Sequence, residues 1–185
     1  MNERIQRAIL EAERYSTTHH DSYSVPRETG EFLYLLAKAT GAKNILELGT
    51  SIGHSGLWLG AAAQENKGTL TTVEALDEKI LAASRHFQMA GLEKTIKIVK
   101  GNAKTIIPKL SGKFDLLFID VWKEDYLACM KLVEPKLTKS ALIVADNAIS
   151  HGEDMQDFIK YMFTSGKYFS SIIPIGTGEL MAVRK

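Results

Sequence analysis

Short apolar runs alternate with longer amphipathic segments between Lys43 and Asp146. This alternation indicates repeated βα units, which assemble into a parallel sheet covered by helices. Five runs predict strands at residues 44–48, 69–74, 96–100, 114–120 and 141–146, namely NILEL, TLTTVE, IKIVK, FDLLFID and ALIVAD. The segments that follow them carry apolar residues at helical spacing, and they predict helices over residues 55–64, 77–90, 103–110, 123–137 and 155–163.

Both ends of the chain depart from this alternation. Residues 5–12 place apolar side chains at helical spacing and predict a first helix, and residues 28–39 predict a second. Near the other end, FSSIIPI and ELMAVRK predict two strands joined by the turn-forming sequence Gly176-Thr177-Gly178. Because no helix separates these two strands, we expect an antiparallel hairpin at an edge of the sheet.

Composition narrows the class of protein. The 185 residues, of which 45% are hydrophobic and 24% are charged, fit one globular domain. The net charge of +1 does not give the large positive excess that is typical of proteins making extended contact with nucleic acid or a membrane. The single cysteine, Cys129, has no partner for an intrachain disulfide. The first residues lack the apolar core of a signal peptide, and no apolar run approaches the ~20 residues of a membrane span. We therefore expect a cytoplasmic protein.

A glycine-rich loop follows the first predicted strand, in ILELGTSIGHSG. Gly49 and Gly53 let the backbone turn tightly and approach a ligand, and a helix that begins near Ser55 offers free N–H groups. Glu74 ends the second strand, where many nucleotide-binding folds hydrogen-bond ribose hydroxyls. The alternative is a simple tight turn with a solvated strand-end charge. The dinucleotide fingerprint G-x-G-x-x-G is absent, since Ser51 occupies its second glycine position.

Acidic side chains follow the fourth and fifth strands. Asp120 comes directly after the fourth strand, and Asp146 and Asn147 end the fifth. If these strands are neighbours, two carboxylates and an amide oxygen converge, and a hard cation such as Mg²⁺ would relieve the repulsion between the carboxylates. The alternative is structural, with Asp120 capping a helix and Asp146-Asn147 forming a turn.

Taken together, these motifs resemble a known family. The spacing of Glu47, Gly49 and Gly53 resembles the first motif of S-adenosylmethionine methyltransferases. The pattern D-x-W-K-x-x-Y, followed by a strand and A-D-N, resembles the metal-dependent O-methyltransferases typified by catechol and caffeoyl-coenzyme A O-methyltransferases, over residues 25–152. The resemblance implies an α/β, Rossmann-like class I methyltransferase fold, with a mostly parallel seven-stranded sheet, an antiparallel last strand and helices on both faces.

The resemblance also implies roles for individual residues. Lys123 would help to deprotonate the acceptor hydroxyl, and Trp122 would form a wall of the acceptor pocket. The structural alternatives are a solvated lysine at the start of an exposed helix and a tryptophan that packs over the sheet. The metal ligands would be Asp120, Asp146 and Asn147, holding Mg²⁺, with Ca²⁺ or Mn²⁺ as alternatives. Asn102 stands where many relatives have an acidic residue. The implied contacts with S-adenosylmethionine are Val25, Glu47, Gly49, Gly53, Ser55, Glu74, Asn102, Ala103, Asp120 and Trp122.

These implications make an S-adenosylmethionine-dependent O-methyltransferase acting on a phenolic or vicinal-diol small molecule the first hypothesis. A tRNA methyltransferase acting on a hydroxylated uridine is an alternative, because lysines recur at positions 94, 97, 100, 104, 109 and 113. A non-catalytic S-adenosylmethionine-binding protein is another. We expect one methyltransferase domain over residues 1–185, in which the helices of residues 1–40 cover the cofactor and acceptor side and residues 41–185 form the core. The sequence leaves the assembly open, and a homodimer is one alternative.

Overall fold

One seven-stranded sheet forms the centre of the protein in a computed structural model that describes residues 1–185. The strands are β1 (Asn44–Leu48), β2 (Thr69–Glu74), β3 (Ile96–Lys100), β4 (Phe114–Ile119), β5 (Leu137–Ala145), β6 (Tyr168–Ile173) and β7 (Glu179–Arg184). Their order across the sheet is β3-β2-β1-β4-β5-β7-β6, and only β7 runs antiparallel to its neighbours. The predicted fold class and the terminal antiparallel hairpin are confirmed.

Helices cover both faces of this sheet. They are α1 (Glu3–Thr18), α2 (Arg27–Thr40), α3 (His54–Glu65), α4 (Asp77–Ala90), α5 (Ala103–Ile106), α6 (Tyr126–Val133) and α7 (Gln156–Thr164). The first four pack with one sheet face in a buried apolar cluster, and α6 and α7 pack with the other face in a second cluster. The sheet interior therefore excludes water on both sides, which explains its nearly continuous apolar strands.

Two predicted helices are shorter than the sequence pattern indicates. The segment 103–110 forms only the brief α5 followed by a 3₁₀ turn at Ile107–Lys109, and the segment 123–137 forms α6 between 3₁₀ turns at Lys123–Asp125 and Glu134–Lys136. Pro108 and Pro135 lie in the turns that end these helices, because proline lacks the N–H that continues an α-helix. Strand β5 begins four residues earlier than predicted, at Leu137.

The N-terminal helices lie against the helical layer rather than over the cleft. Helix α1 packs on α3 and α4, and α2 packs on α3. Their connecting segment, residues 19–26, contacts Ser51 in the loop that follows β1 and His54 at the start of α3. The expectation that residues 1–40 cover the cofactor and acceptor side stays a prediction. No helix has both the length and the apolar character needed to cross a bilayer.

The strand order identifies where a ligand site forms. From β1 the chain proceeds to β2 on one side, whereas β4 pairs with the other side of β1. Such a reversal of strand order opens a crevice at the carboxyl ends of the strands. The glycine-rich loop after β1 and the acidic residues after β4 and β5 all lie at this end of the sheet.

Candidate active site

The loop after β1 takes a backbone course that requires glycine. Gly49 has a φ of 97°, and a Cβ atom there would overlap the carbonyl oxygen of Asp120. Its N–H donates to Val73 O at 3.0 Å, while the N–H of Asp120 donates to Leu48 O at 2.9 Å. The loop is therefore fixed between the ends of β2 and β4. Gly53, with a φ of 88°, ends the loop directly before α3.

Glu74 lies beside this loop at the end of β2. One carboxylate oxygen accepts a hydrogen bond from the Ser51 N–H at 2.8 Å, and the other accepts from the N–H groups of Ala75 and Leu76 at 2.8 and 3.0 Å. These backbone donors orient the carboxylate at the edge of the crevice. Its predicted bond to a ribose stays a prediction, and its position next to the glycine loop is compatible with that role.

Glu47 and Ser55 lie beneath the same loop. Glu47 is completely buried, and the hydroxyl of Thr72 donates to its carboxyl group at 2.5 Å. Burial raises the pKa of Glu47 to about 7, and hydrogen bonds from Ser55 and Thr72 oppose that rise. The structure gives Glu47 a supporting position under the loop, and its predicted contact with the cofactor stays a prediction.

Three other predicted cofactor residues occupy the rim of the crevice. Val25 is buried, and its carbonyl oxygen lies 3.1 Å from Nδ1 of His54 at the start of α3. Asn102 caps α5, because its side-chain oxygen accepts a hydrogen bond from the Lys104 N–H at 2.9 Å. Ala103 follows it as the first residue of α5. Asn102 therefore caps α5, and its amide nitrogen and the second lone pair of its amide oxygen are available to a ligand.

The structure brings Asp120 and Asp146 together at adjacent strand ends. The Asp146 N–H donates to Ile119 O at 3.1 Å, so the two aspartates follow neighbouring strands in register. Burial and the negative charge of Asp146 raise the pKa of Asp120 to about 6, whereas Lys123 lowers it. In the absence of a cation, burial and the neighbouring Asp146 therefore disfavour the ionised form of Asp120.

Lys123 points into this acidic cluster. Its Nζ lies 3.2 Å from Asp120 Oδ1 and 3.3 Å from both the Val121 carbonyl oxygen and the Tyr126 hydroxyl. The buried Tyr126 in turn donates to the backbone carbonyl of Asp146 at 3.3 Å. The chain of contacts places the lysine ammonium beside the carboxylates that the sequence predicted as metal ligands, with a side chain that is only 20% exposed.

Three side chains in this cluster, Asp120, Asp146 and Asn147, each carry an oxygen atom of the kind that a hard cation prefers. Oδ1 of Asp146 accepts from the Asn147 N–H at 2.7 Å and from the Thr177 hydroxyl, and Oδ1 of Asp120 accepts from Lys123. The Asn147 amide nitrogen donates to the Ser150 hydroxyl at 3.3 Å, which leaves the amide oxygen available as the predicted ligand atom.

This donor set of two carboxylates and one amide oxygen is the type that Mg²⁺ and Ca²⁺ accept. No group of three or more His, Cys, Asp or Glu side chains that could hold a metal ion is present in the structure, and this cluster supplies two such side chains together with the Asn147 amide. The Asn147 backbone adopts a left-handed φ of 67°, a conformation that asparagine tolerates better than most residues.

An aromatic pair borders the acceptor side. Trp122 is 70% exposed, so the packing alternative over the sheet does not hold. Its ring lies edge-to-face with that of Tyr23, with the ring centroids 6.3 Å apart. Tyr23 lies in the connection between α1 and α2, a polar stretch whose sequence contains no signal for this pairing.

Glu179 is a buried acid that the sequence analysis missed. It accepts a hydrogen bond from the Thr29 hydroxyl at 3.0 Å, and burial followed by the charge of Asp146 raises its pKa to about 9. The antiparallel register pairs Ala145 with Leu180, and this pairing places Glu179 next to Asp146. The run ELMAVRK alone resembles an ordinary strand, so only the hairpin register identifies this neighbour.

The lysines that suggested RNA binding are partly engaged by the protein. Lys100 and Lys104 each form an ion pair of 2.6 Å, with Asp77 and Asp125 respectively. Lys113 donates to the backbone carbonyl of Pro135 at 2.5 Å. Half of the six lysines therefore have intramolecular partners.

Comparison with known proteins identifies the family. The sequence profile of the O-methyltransferase family matches residues 3–161. A catechol O-methyltransferase from Niastella koreensis is 38% identical over 138 residues, which cover 72% of this chain and 62% of that enzyme. One from Mycobacterium tuberculosis is 36% identical over 130 residues, which cover 70% of this chain and 59% of that enzyme. The matched region thus spans about three fifths of these relatives.

Solved structures support the same assignment. The O-methyltransferase TomG from Streptomyces achromogenes, in complex with SAM, superimposes with a TM-score of 0.86 at 25% identity, covering 100% of this chain and 91% of that one. An O-methyltransferase from Bacillus cereus, in complex with SAH, gives a TM-score of 0.86 at 22% identity, covering 100% and 92%, and supports the fold alone. With the family profile matching most of its length, this chain belongs to the O-methyltransferase family.

Proposed function

We propose that this protein transfers a methyl group from S-adenosylmethionine to a hydroxyl oxygen of a phenolic or vicinal-diol small molecule, with the assistance of a divalent cation. One observation carries the proposal: the ammonium of Lys123 lies 3.2 Å from Asp120, in the same cluster as Asp146 and Asn147. A protein that only bound the cofactor would have no use for a lysine held against the Asp120 carboxylate, next to a second carboxylate at the end of the neighbouring strand.

The cofactor side of the proposal rests on the crevice between β1 and β4. The glycine loop and the Glu74 carboxylate border it, and relatives of this fold were solved with SAM or SAH. S-adenosylmethionine would supply the methyl group there. The task of the chain is to hold the acceptor oxygen in line with the methyl carbon, since methyl transfer is a displacement that depends on alignment.

The acceptor side rests on the acidic cluster and the aromatic pair. A divalent cation held by Asp120, Asp146 and Asn147 would lower the pKa of an acceptor hydroxyl and orient it. Lys123 Nζ, once it has released a proton to solvent and is a neutral amine, would then receive the hydroxyl proton, because it lies beside Asp120. The exposed faces of Trp122 and Tyr23 would pack against a flat aromatic acceptor and exclude water from one side of it.

The two curated relatives named above are catechol O-methyltransferases, which supports an acceptor with adjacent hydroxyl groups. The test is a screen with labelled S-adenosylmethionine against catechols, phenolic thioesters and undermodified tRNA, each with Mg²⁺ and with excess chelator. We expect Mg²⁺-dependent labelling of a catechol. Equal turnover of a catechol in excess chelator would overturn the role of the cation, and labelling of tRNA alone would replace the small-molecule acceptor with the RNA alternative.

A further inference from the structure

The connection between α1 and α2 crosses the cofactor loop and is held there by side chains alone. Residues 19–25, which we call the strap, form no backbone hydrogen bond with any residue outside them except the bond that ends α1. The carbonyl oxygens of Asp21, Ser22 and Val25 instead face Lys79 Nζ, Ser51 Oγ and His54 Nδ1. Three side chains of the core therefore hold carbonyl groups of the strap, and the contact of the Ser22 hydroxyl with the Ser16 hydroxyl at 2.7 Å adds to them.

Lys79 is the one charged group among these three. It lies on the first turns of α4, is buried, and donates to Asp21 O at 2.5 Å, while the Asp21 carboxylate lies 3.4 Å away and is 64% exposed. Its Nζ also lies 5.9 Å from the centroid of the Tyr23 ring. A buried ammonium needs such partners, because an unpaired charge is costly to desolvate. The strap and Lys79 therefore stabilise each other's position.

The strap connects the two halves of the candidate active site. Ser51 donates its N–H to Glu74 on the cofactor side and its hydroxyl to Ser22 of the strap. One residue further along, Tyr23 packs edge-to-face on Trp122 on the acceptor side. Ser51 and Tyr23 both have left-handed φ angles, of 44° and 47°, which are unfavourable for these residues and persist only under tight local constraint.

We propose that Lys79 is a positioning residue that holds the strap closed over the cofactor loop and so slows release of S-adenosylmethionine. The inference rests on the proposed function, because it requires the crevice to bind that cofactor. Lys79 acts through the strap and does not itself react. Losing it removes one of the strap's attachments, so the strap opens more often and the cofactor leaves faster.

The test is the dissociation rate of labelled S-adenosylmethionine from Lys79→Met, which keeps the length of the side chain and removes the charge. We expect dissociation about tenfold faster, the scale for losing a hydrogen bond from a charged donor. KM for the cofactor should rise with it, while kcat at saturating cofactor changes less. Lys79→Arg, which retains donors for the Asp21 carbonyl, should restore most of the slow release.

Lys38→Met is the matched control. Lys38 also joins the N-terminal helices to the core, through Glu65 and Asn66 at 3.1 Å, but it lies at the far end of α2 and α3 from the crevice. It should leave the dissociation rate unchanged. Asp21→Asn should also have little effect, because the main contact of Lys79 is with the backbone carbonyl of Asp21.

Hydrogen exchange on the wild type gives a second measurement that needs no variant. S-adenosylmethionine should slow exchange of the amides of residues 20–25 and leave those of residues 5–12 unchanged. A wild type that fails to bind S-adenosylmethionine overturns the proposed function and the strap inference with it. Normal binding, combined with unaltered release from Lys79→Met or unprotected strap amides, overturns the strap inference alone.

Discussion

Replacing Asp120 by asparagine should change the stability of the protein in opposite directions with and without a cation. Without one, the folded state raises the pKa of Asp120 from 3.8 to about 6, because the carboxyl group is buried near Asp146. A rise of about 2 pKa units corresponds to about 3 kcal/mol of cost for the ionised form. Asp120→Asn removes the charge and keeps an acceptor for Lys123, so the cation-free variant should be more stable at pH 8 by up to about 3 kcal/mol.

The sign of the pH dependence follows from the same pKa. The folded state raises the pKa of Asp120, so the wild type gains stability from keeping Asp120 protonated. This gain is fully present below pH 3.8 and is lost as the pH rises through about 6. The advantage of Asp120→Asn over the wild type should therefore grow between about pH 4 and about pH 6 and stay level at higher pH. Urea unfolding at several pH values, in excess chelator, measures the difference directly.

A cation should reverse the order of the two proteins. At a concentration of ~100 times its dissociation constant, a cation that binds only the folded state adds about 2.7 kcal/mol to stability. For a chain of this size that corresponds to a rise in Tm of roughly 5–10 °C. We expect the rise with Mg²⁺ or Mn²⁺ in the wild type and in Asp157→Asn, an exposed control on α7, but not in Asp120→Asn. Equal gains in all three proteins would refute the assignment of Asp120 as a ligand.

Four further outcomes follow from individual contacts. Glu74→Ala should weaken binding of S-adenosylmethionine by roughly 1–3 kcal/mol in calorimetry, and unchanged affinity would remove Glu74 from the site. Lys123→Ala should lower kcat by about 10²- to 10⁴-fold, with partial recovery at high pH and an unchanged Tm rise with Mg²⁺. Gly49→Ala should unfold at a much lower urea concentration than the wild type, because its Cβ would overlap the Asp120 carbonyl. Glu47→Gln should lose less stability than the wild type between pH 5 and pH 8. The reason is that burial raises the pKa of Glu47 to about 7, so the wild type must ionise a buried group as the pH rises. If the free energy of unfolding in urea changes with pH equally in the two proteins, that reasoning is contradicted.

The sequence by itself determined the secondary-structure elements and the strand ends at which the candidate functional residues lie. Hydrophobic periodicity is a local property, so it located all seven strands and the main helices. The candidate residues could be identified because Gly49, Asp120 and Asp146 each directly follow an apolar strand, and parallel strands carry their carboxyl ends to one edge. Family motifs then supplied roles that periodicity alone does not contain.

Only the tertiary structure decided which of these strand ends are neighbours and which contacts hold the loops between them in place. The pairing of β1 with β4 and of β4 with β5 brings the glycine loop and the two aspartates together, and the register of β5 with β7 adds Glu179. The contact between Lys79 and the strap joins positions 58 residues apart. Such contacts depend on packing and register between distant segments, and a local pattern of apolar and polar residues contains no information about either.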